Sequence, residues 1–294
     1  MSTQITTAFV EQYSANVQAL VQQKGSKLRG LVSSETIRGK SAFFDQIGSV
    51  AAVKKTSRHS DTPQMDTPHK RRRLSLDTYH WADLIDNDDK IRMLIDPTSE
   101  YANAAAWAMG RAMDEVIVDA AFGAAAAGET GAEAVEFAAD QVVDADGANG
   151  FTFDKLREVK RLFDKAEAPA EDRYIVLTSY QMDNLLSETK VTSADYASAK
   201  ALVRGEINEF MGFKFINLNG RRGDKSLILP ATGAVRHCLA FHADGIKLGI
   251  GQDPFGKITE RDDKNYATQV YYEMSIGAVR MQEELVVKVN CKEA

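Results

Sequence analysis

The run His69-Lys70-Arg71-Arg72-Arg73 could hold phosphates, face water as a charged strand edge, or meet carboxylates. It closes a basic stretch. Between positions 54 and 73, Lys54, Lys55, Arg58, Lys70, Arg71, Arg72 and Arg73 stand against only Asp61 and Asp66. Between 129 and 146 the sign reverses. Glu129, Glu133, Glu136, Asp140, Asp144 and Asp146 occur there with no Lys or Arg. No aromatic residue interleaves with the basic run, so stacking on nucleic-acid bases is not supported. Two solvated loops explain the pattern without any function. Separate positive and negative patches also let a chain pair with copies of itself, and that reading is favoured. It makes Lys70, Arg71, Arg72 and Arg73 intersubunit cations, with Asp83, Asp86, Asp88 and Asp89 as leading partners on a neighbouring copy.

Other reactive residue types point away from catalysis. His237 and His242 are five apart on an expected strand and so lie on opposite faces, the wrong geometry for one metal. Cys238 sits in an apolar run and reads as core. It and Cys291 are the only cysteines, too few for a disulfide framework, and a reducing compartment is expected. Gly245, Gly249 and Gly251 follow a strand but open no helix, so they make no phosphate cradle. Arg222-Gly223-Asp224 reads as a turn. No G-x-S-x-G, P-loop or H-E-x-x-H motif occurs. The sequence therefore assigns no catalytic residue, no metal ligand and no cofactor, and predicts a protein that is not an enzyme.

The 294 residues allow one large domain or two modest ones. With 44% hydrophobic and 27% charged residues, the chain can bury a full core without staples. A net charge of −6 argues against the whole chain binding a polyanion. The first residues, MSTQITTAFVEQYSANVQALVQQ, have neither the basic nor the apolar region of a signal peptide, and no apolar run is long enough for a membrane span. Synthesis in the cytosol is expected.

The element best marked in the sequence is a long helix. Asp96 is a good N-cap, Pro97 suits the first helical position, and Glu100 lies on the favourable side of the helix dipole. The helix is expected to run to Ala127 and close on Gly128, about 45 Å at 1.5 Å per residue. Its stripe of Tyr101, Ala105, Ala108, Ala112, Val116 and Ala120 is mostly small, which predicts close packing on a sheet and not a coiled-coil seam. A weak helix is expected over 6–23, and residues 24–47 read as an extended arm and not as core. Residues 48–80 read as a long polar hairpin, begun by Val50 and Val53, ended by Leu74, Leu76 and Tyr79, and too polar to fold alone. Trp81 to Lys90 reads as an acidic turn or short helix, and 129–151 as a surface crossing. Phe153 to Ala166 has helical spacing and is stopped by Pro169. The strands Tyr174–Ser179, Phe213–Leu218 and Val235–His242, with a helix after the first, predict an α/β module over 152–245. The tail alternates through Gln269–Tyr272 and Leu285–Val289, and reads as an antiparallel pair returning to the long helix.

This order is specific. The stretch YHWADLIDNDDKIRMLIDPTSEYANAAAWAMGRAMDEVIVDAAFG (Tyr79 to Gly123), with GEINEFMGFKFINLN (Gly205 to Asn219) and QVYYEMSIGAVRMQEELVVKVNC (Gln269 to Cys291), resembles the major capsid proteins of tailed double-stranded DNA bacteriophages. Their fold was first described for phage Hong Kong ninety-seven. The resemblance covers nearly the whole chain, and its motifs are structural.

It implies an α+β capsid fold with an N-terminal arm (1–47), an E-loop hairpin (48–80), a peripheral domain with a spine helix (81–134), an α/β axial domain (135–245) and peripheral strands (246–294). It implies self-assembly into hexamers and pentamers of an icosahedral shell around double-stranded DNA, which is bound without sequence specificity. It also implies a portal protein at one vertex, leaves room for a decoration protein, and involves no membrane. The chain has no extra N-terminal domain of the kind that serves as a fused scaffold, so a separate scaffolding protein is expected. Some relatives crosslink through a hairpin lysine. Lys54 and Lys55 lie in the right region, but no matching Asn or assisting Glu is identifiable, and no crosslink is expected. The competing reading within the same fold is the shell of an enzyme-loaded bacterial nanocompartment. The long segment 1–47 favours the phage.

Overall fold

The computed structural model describes residues 22–58, 61, 64–86, 98–144, 147–188 and 209–293. In chain order its elements are β1 (Ser33–Thr36), β2 (Ser41–Ile47), β3 (His69–Ser75), β4 (Asp77–Ile85) and helix α1 (Thr98–Phe122). Then come β5 (Ala125–Ala127), β6 (Glu133–Val135), β7 (Val142–Val143), α2 (Phe153–Lys165), β8 (Arg173–Leu177) and α3 (Ser179–Ser187). The last are β9 (Glu209–Phe210), β10 (Phe213–Asn217), β11 (Ala231–Thr232), β12 (Val235–His242), β13 (Ile246–Arg261), β14 (Ala267–Arg280) and β15 (Val286–Lys292).

These strands form three sheets. The first has the order β1-β13-β14-β4, with β13, β14 and β4 antiparallel and β1 parallel to β13. The second is a mixed seven-stranded sheet in which β7, β15, β12, β8, β10 and β9 lie side by side and β11 pairs with β12. The third, β2-β3-β5-β6, carries the hairpin.

The seven-stranded sheet is buried on both faces at its centre, so β8 reads as a continuous apolar run, whereas β10 alternates and β11 is exposed. Ile175 and Leu177 of β8 point to a core shared with Leu156, Val159 and Phe163 of α2, while Tyr174 and Val176 point to a second core. That second core is filled by α1 through Met109, Met113, Ile117, Val118 and Ala121, against Leu248, Met274 and Ile276 of the first sheet. The α/β expectation over 152–245 agrees with this arrangement. α2 begins where Thr152 accepts a hydrogen bond from the Lys155 N–H, and β12 spans Val235–His242 as expected.

Other expectations are corrected. α1 ends at Phe122, because the Arg280 guanidinium binds the Ala121 and Gly123 carbonyls at its C-terminus. Ala125–Ala127 instead pair as a strand, and Gly128, at φ +83, makes the turn into β6. Tertiary pairing overrides the helix propensity of three alanines. The buried stripe of α1 is one position out of register with the expected one and larger. Ala105, Met109, Met113, Ile117 and Ala121 are buried, while Ala108 and Ala112 are only half-buried. Residues 24–37 are not a loose arm, since Leu28, Val32 and Ile37 are core. Trp81–Ile85 completes β4 and forms no turn or helix. The tail does not form one strand pair. β14 pairs with β13 and β4, whereas β15 crosses to the other sheet beside β12 and β7. The expected 6–23 helix up to position 21, the Asp96 cap and Pro97 lie outside the described residues.

Candidate assembly interface

The hairpin's arms are β2 and β3, paired from Ser41↔Ser75 to Ile47↔His69 and extended by the Gly48 N–H donating to the Pro68 carbonyl at 2.8 Å. The first arm thus lies upstream of Val50 and Val53, which stand exposed beyond the paired strands. Strand alternation sorts the basic run. His69 and Lys70 are exposed, Arg72 and Leu74 are buried, and Arg71 and Arg73 are half-buried.

Arg71 faces its cross-strand partner Asp45 with two hydrogen bonds, Nη2 to Oδ2 at 3.2 Å and Nε to Oδ1 at 2.5 Å. These bonds hold the Asp45 carboxyl below the usual carboxylate range, and the same contact raises Arg71. Arg72 donates from Nη2 to Glu283 Oε2 at 2.8 Å and from Nε to the Met281 carbonyl at 3.3 Å. Arg73 packs over Gly131, where an added Cβ would fall 2.3 Å from Arg73 Cδ. A cavity of about 960 Å³ opens at the hairpin base, lined by Lys70 and Arg71 and by Glu129, Glu133 and Glu284 among others. The positive run and part of the acidic stretch therefore meet within one chain.

Of the expected acidic partners, Asp83 is half-buried on β4 and accepts from the Leu84 N–H at 2.9 Å. Asp86 follows that strand and is also half-buried. Asp88 and Asp89 lie outside the described residues.

A second polar cluster was missed in the sequence. Asp114, fully buried in the middle of α1, accepts from Ser26 Oγ, from Gln23 Nε2, and from the backbone N–H of Lys27 and Leu28 at about 3 Å. Gly110, one turn earlier, lets the chain cross the helix. A Cβ there would sit 2.4 Å from the Gly25 carbonyl carbon. The readable signal was an acid inside an apolar helix stripe, which demands buried donors.

The remaining singled-out residues are structural. Ring nitrogens of His237 contact Asn290 Oδ1 at 2.7 Å and Thr232 Oγ1 at 2.9 Å, and burial lowers its pKa. His242 Nδ1 accepts from the Asp244 N–H. Cys238 and Cys291 are buried free thiols on adjacent strands. Gly249 and Gly251 lie on β13, and Arg222 to Ser226 form a turn whose Arg222 reaches Glu115 and Asp119 of α1. Among the described residues no three His, Cys, Asp or Glu side chains cluster as metal ligands, and no helix is long and apolar enough to cross a membrane.

A sequence-family model described as "Phage capsid protein" matches residues 5–293. No curated protein sequence matches the chain. Among solved structures, the capsid of cyanophage P-SCSP1u is 16% identical with a TM-score of 0.71, covering 98% of this chain and 94% of that one. The acidic stable capsid structure of Helicobacter pylori bacteriophage KHP30 is 10% identical with a TM-score of 0.72, covering 97% and 96%. A structure from Mycobacterium phage Che8 is 16% identical with a TM-score of 0.66, covering 96% and 97%. At these identities the likeness establishes the fold.

Proposed function

The chain belongs to the phage capsid protein family, a structural component of the virion, and we propose that its copies assemble as hexamers and pentamers into an icosahedral shell enclosing double-stranded DNA. Residues 1–40 serve as the arm, 41–75 as the hairpin, 77–134 as the peripheral domain with spine helix, 135–245 together with β15 as the axial domain, and 246–280 as the returning peripheral strands. Assembly takes place in the bacterial host cytoplasm on a separate scaffolding protein, with a portal at one vertex. A decoration protein is compatible with this reading. The shell does no catalysis.

The observation that supports assembly best is the apolar surface of the hairpin. Ile47 is 72% exposed, Val53 61%, Val50 55% and Met65 44%. A solitary soluble chain gains nothing by holding these on a protruding element, whereas a neighbouring copy would bury them. The negative net charge of −6 suits a wall that must release a polyanion.

The contact itself is carried by the basic run against Asp83, Asp86, Asp88 and Asp89 of the next copy. His69 and Lys70 are its exposed members, and Arg71 can exchange its Asp45 partner. Arg72 is held by Glu283 within its own chain, so its reversal would damage the fold and cannot serve as a clean test. Electron microscopy of purified protein should show closed shells, with nucleic-acid content read from the same particles. Size-exclusion chromatography giving only monomer, even with crowding agents and scaffold, would refute assembly. Reversing Lys70 and Arg71 to Glu should block shells without altering circular dichroism, and reversing Asp83 and Asp86 to Lys should restore some. Normal assembly of the first variant at low and high salt would show that the run is only a solvated edge.

A further inference from the structure

We infer that Glu283 fixes the direction of the hairpin relative to the body, by joining Arg72 at the hairpin base to the Arg280 that caps α1. The inference rests on the reading of the hairpin as the contact between copies and adds what aims it.

The polar attachments of the hairpin converge on one short stretch. Gln46 Nε2 donates to the Met281 carbonyl at 2.9 Å, Arg72 Nε donates to the same carbonyl, and Arg72 Nη2 donates to Glu283. Met281 and Glu283 lie in the link between β14 and β15, next to Arg280 at the end of β14. Arg280 is fully buried. Its Nη1 donates to the Ala121 carbonyl at 2.9 Å and the Gly123 carbonyl at 2.6 Å, its Nη2 to the Val135 carbonyl at 3.0 Å, and its Nε to Glu283 Oε1 at 3.3 Å. Its guanidinium also lies 5.2 Å from the centre of the Phe137 ring.

The two oxygens of one carboxylate thus hold two guanidiniums, one belonging to the helix end and one to the hairpin. Burial draws Arg280 below its usual value and Glu283 acts against this, so the carboxylate keeps the buried cation in place. Apolar support comes from a small cluster. Ile37, Leu74, Ala125 and Val279 are its buried residues, and Ala42, Phe44, Leu76, Val135 and Met281 pack partly buried against them. Backbone pairing to the body's β5 is a single bridge, Arg72↔Ala127. The apolar contacts are non-directional, so a displacement of the α1 terminus is passed to the hairpin through the directed chain Arg280, Glu283 and Arg72. Glu283 is a positioning residue, since it acts on the hairpin through Arg72.

Hydrogen exchange with mass spectrometry on the full, unassembled chain tests this in two variants. Arg72→Met removes only the hairpin half of the link and keeps the volume, while Glu283→Gln weakens both halves. Amides of 41–47 and 69–75 should exchange about ten-fold faster in both variants, and those of 118–123 faster in Glu283→Gln alone. The double variant should exchange no faster in the hairpin than Glu283→Gln does. A purely structural loss would loosen helix and hairpin together in both variants, and that result overturns the inference. So does unchanged hairpin exchange in Arg72→Met, which decides the matter alone if Glu283→Gln is insoluble. Faster hairpin exchange in Arg72→Met, with shells of normal form and yield, would support the role of Glu283 and refute instead the reading of the hairpin as the contact between copies.

Discussion

In the seven-stranded sheet, β8 is buried along its whole length, with Ile175 and Leu177 in one core and Tyr174 and Val176 in the other. In the hairpin, β3 buries Arg72 and Leu74 and leaves His69, Lys70 and Ser75 in water. The first strand is held by apolar area, which is non-directional and tolerates no water. The second is held by its backbone ladder with β2, by Leu74, and by directed charge contacts to Asp45 across the pair and to Glu283 in the body. A region held by packing is stiff and keeps its shape alone. A region held by a few ion pairs can be redirected when a partner arrives, because each pair can be exchanged for a similar one. The body is thereby fixed, and the reach of the hairpin is adjustable.

The largest effect should come from the packed region. Phe163 is fully buried and meets Phe213 edge-on at 5.6 Å between ring centres. Phe163→Ala should cost about 3–5 kcal/mol in urea unfolding. Hairpin exchange should rise only as far as global unfolding demands. If the hairpin loosens selectively, the two regions share a core and are not supported in different ways.

Arg280→Met should come next, at about 3 kcal/mol, because it strips the α1 carbonyls of their donor and breaks a buried ion pair by removing one partner. Like Glu283→Gln, it is expected to register in both regions, with lower urea stability and faster hairpin exchange together. A neutral outcome would mean that methionine packing replaces the network.

Gly131→Ala should cost about 1–2 kcal/mol, since Gly131 has φ +72 and the new methyl would press on Arg73. Its effect should stay within the β2-β3-β5-β6 sheet, as read by exchange of 125–135 against 173–177. Equal loosening of β8 would show that the hairpin sheet is not a separate unit.

These two modes of support also explain what could be read in advance. Apolar periodicity is local, so α2, β8 and β12 were legible nearly to the residue, whereas the capsid-like order rested on the resemblance of Tyr79–Gly123, Gly205–Asn219 and Gln269–Cys291 to a known family. The hairpin's first strand, Ser41–Ile47, was not. Its Phe43, Phe44 and Ile47 looked like a stray cluster because their partners begin more than twenty residues later. The basic run was legible as a feature, but Glu283 as its anchor was not, being 211 residues from Arg72 in sequence. Asp114 and Gly110 were hidden for a similar reason, since nothing in a helical pattern states that a distant segment crosses it. The end of α1 was misplaced because three alanines favour helix until Arg280, 159 residues after Ala121, takes the last carbonyls.

The smallest effect expected is at Asp45, and it is the one that isolates charge from packing. Its hydrogen bonds with Arg71 hold the carboxyl below the usual range, and the nearby His69 adds to this. As pH falls, the unfolded chain therefore takes up the proton first. The stabilisation is fully present above about pH 4, the ordinary aspartate value, and is lost as pH drops through the lower value of the folded state. Both side chains are substantially exposed, at 40% for Arg71 and 62% for Asp45, so water and salt screen the pair and its contribution to stability is minor. Hairpin exchange, corrected for the intrinsic pH dependence of amides, should rise below about pH 4 in the wild type, stay flat in Asp45→Asn, and lose this difference at about 1 M salt. A rise that persists in Asp45→Asn would show that the acid sensitivity does not arise at the Asp45–Arg71 pair, and would place the exchangeable contact away from the open face of the hairpin.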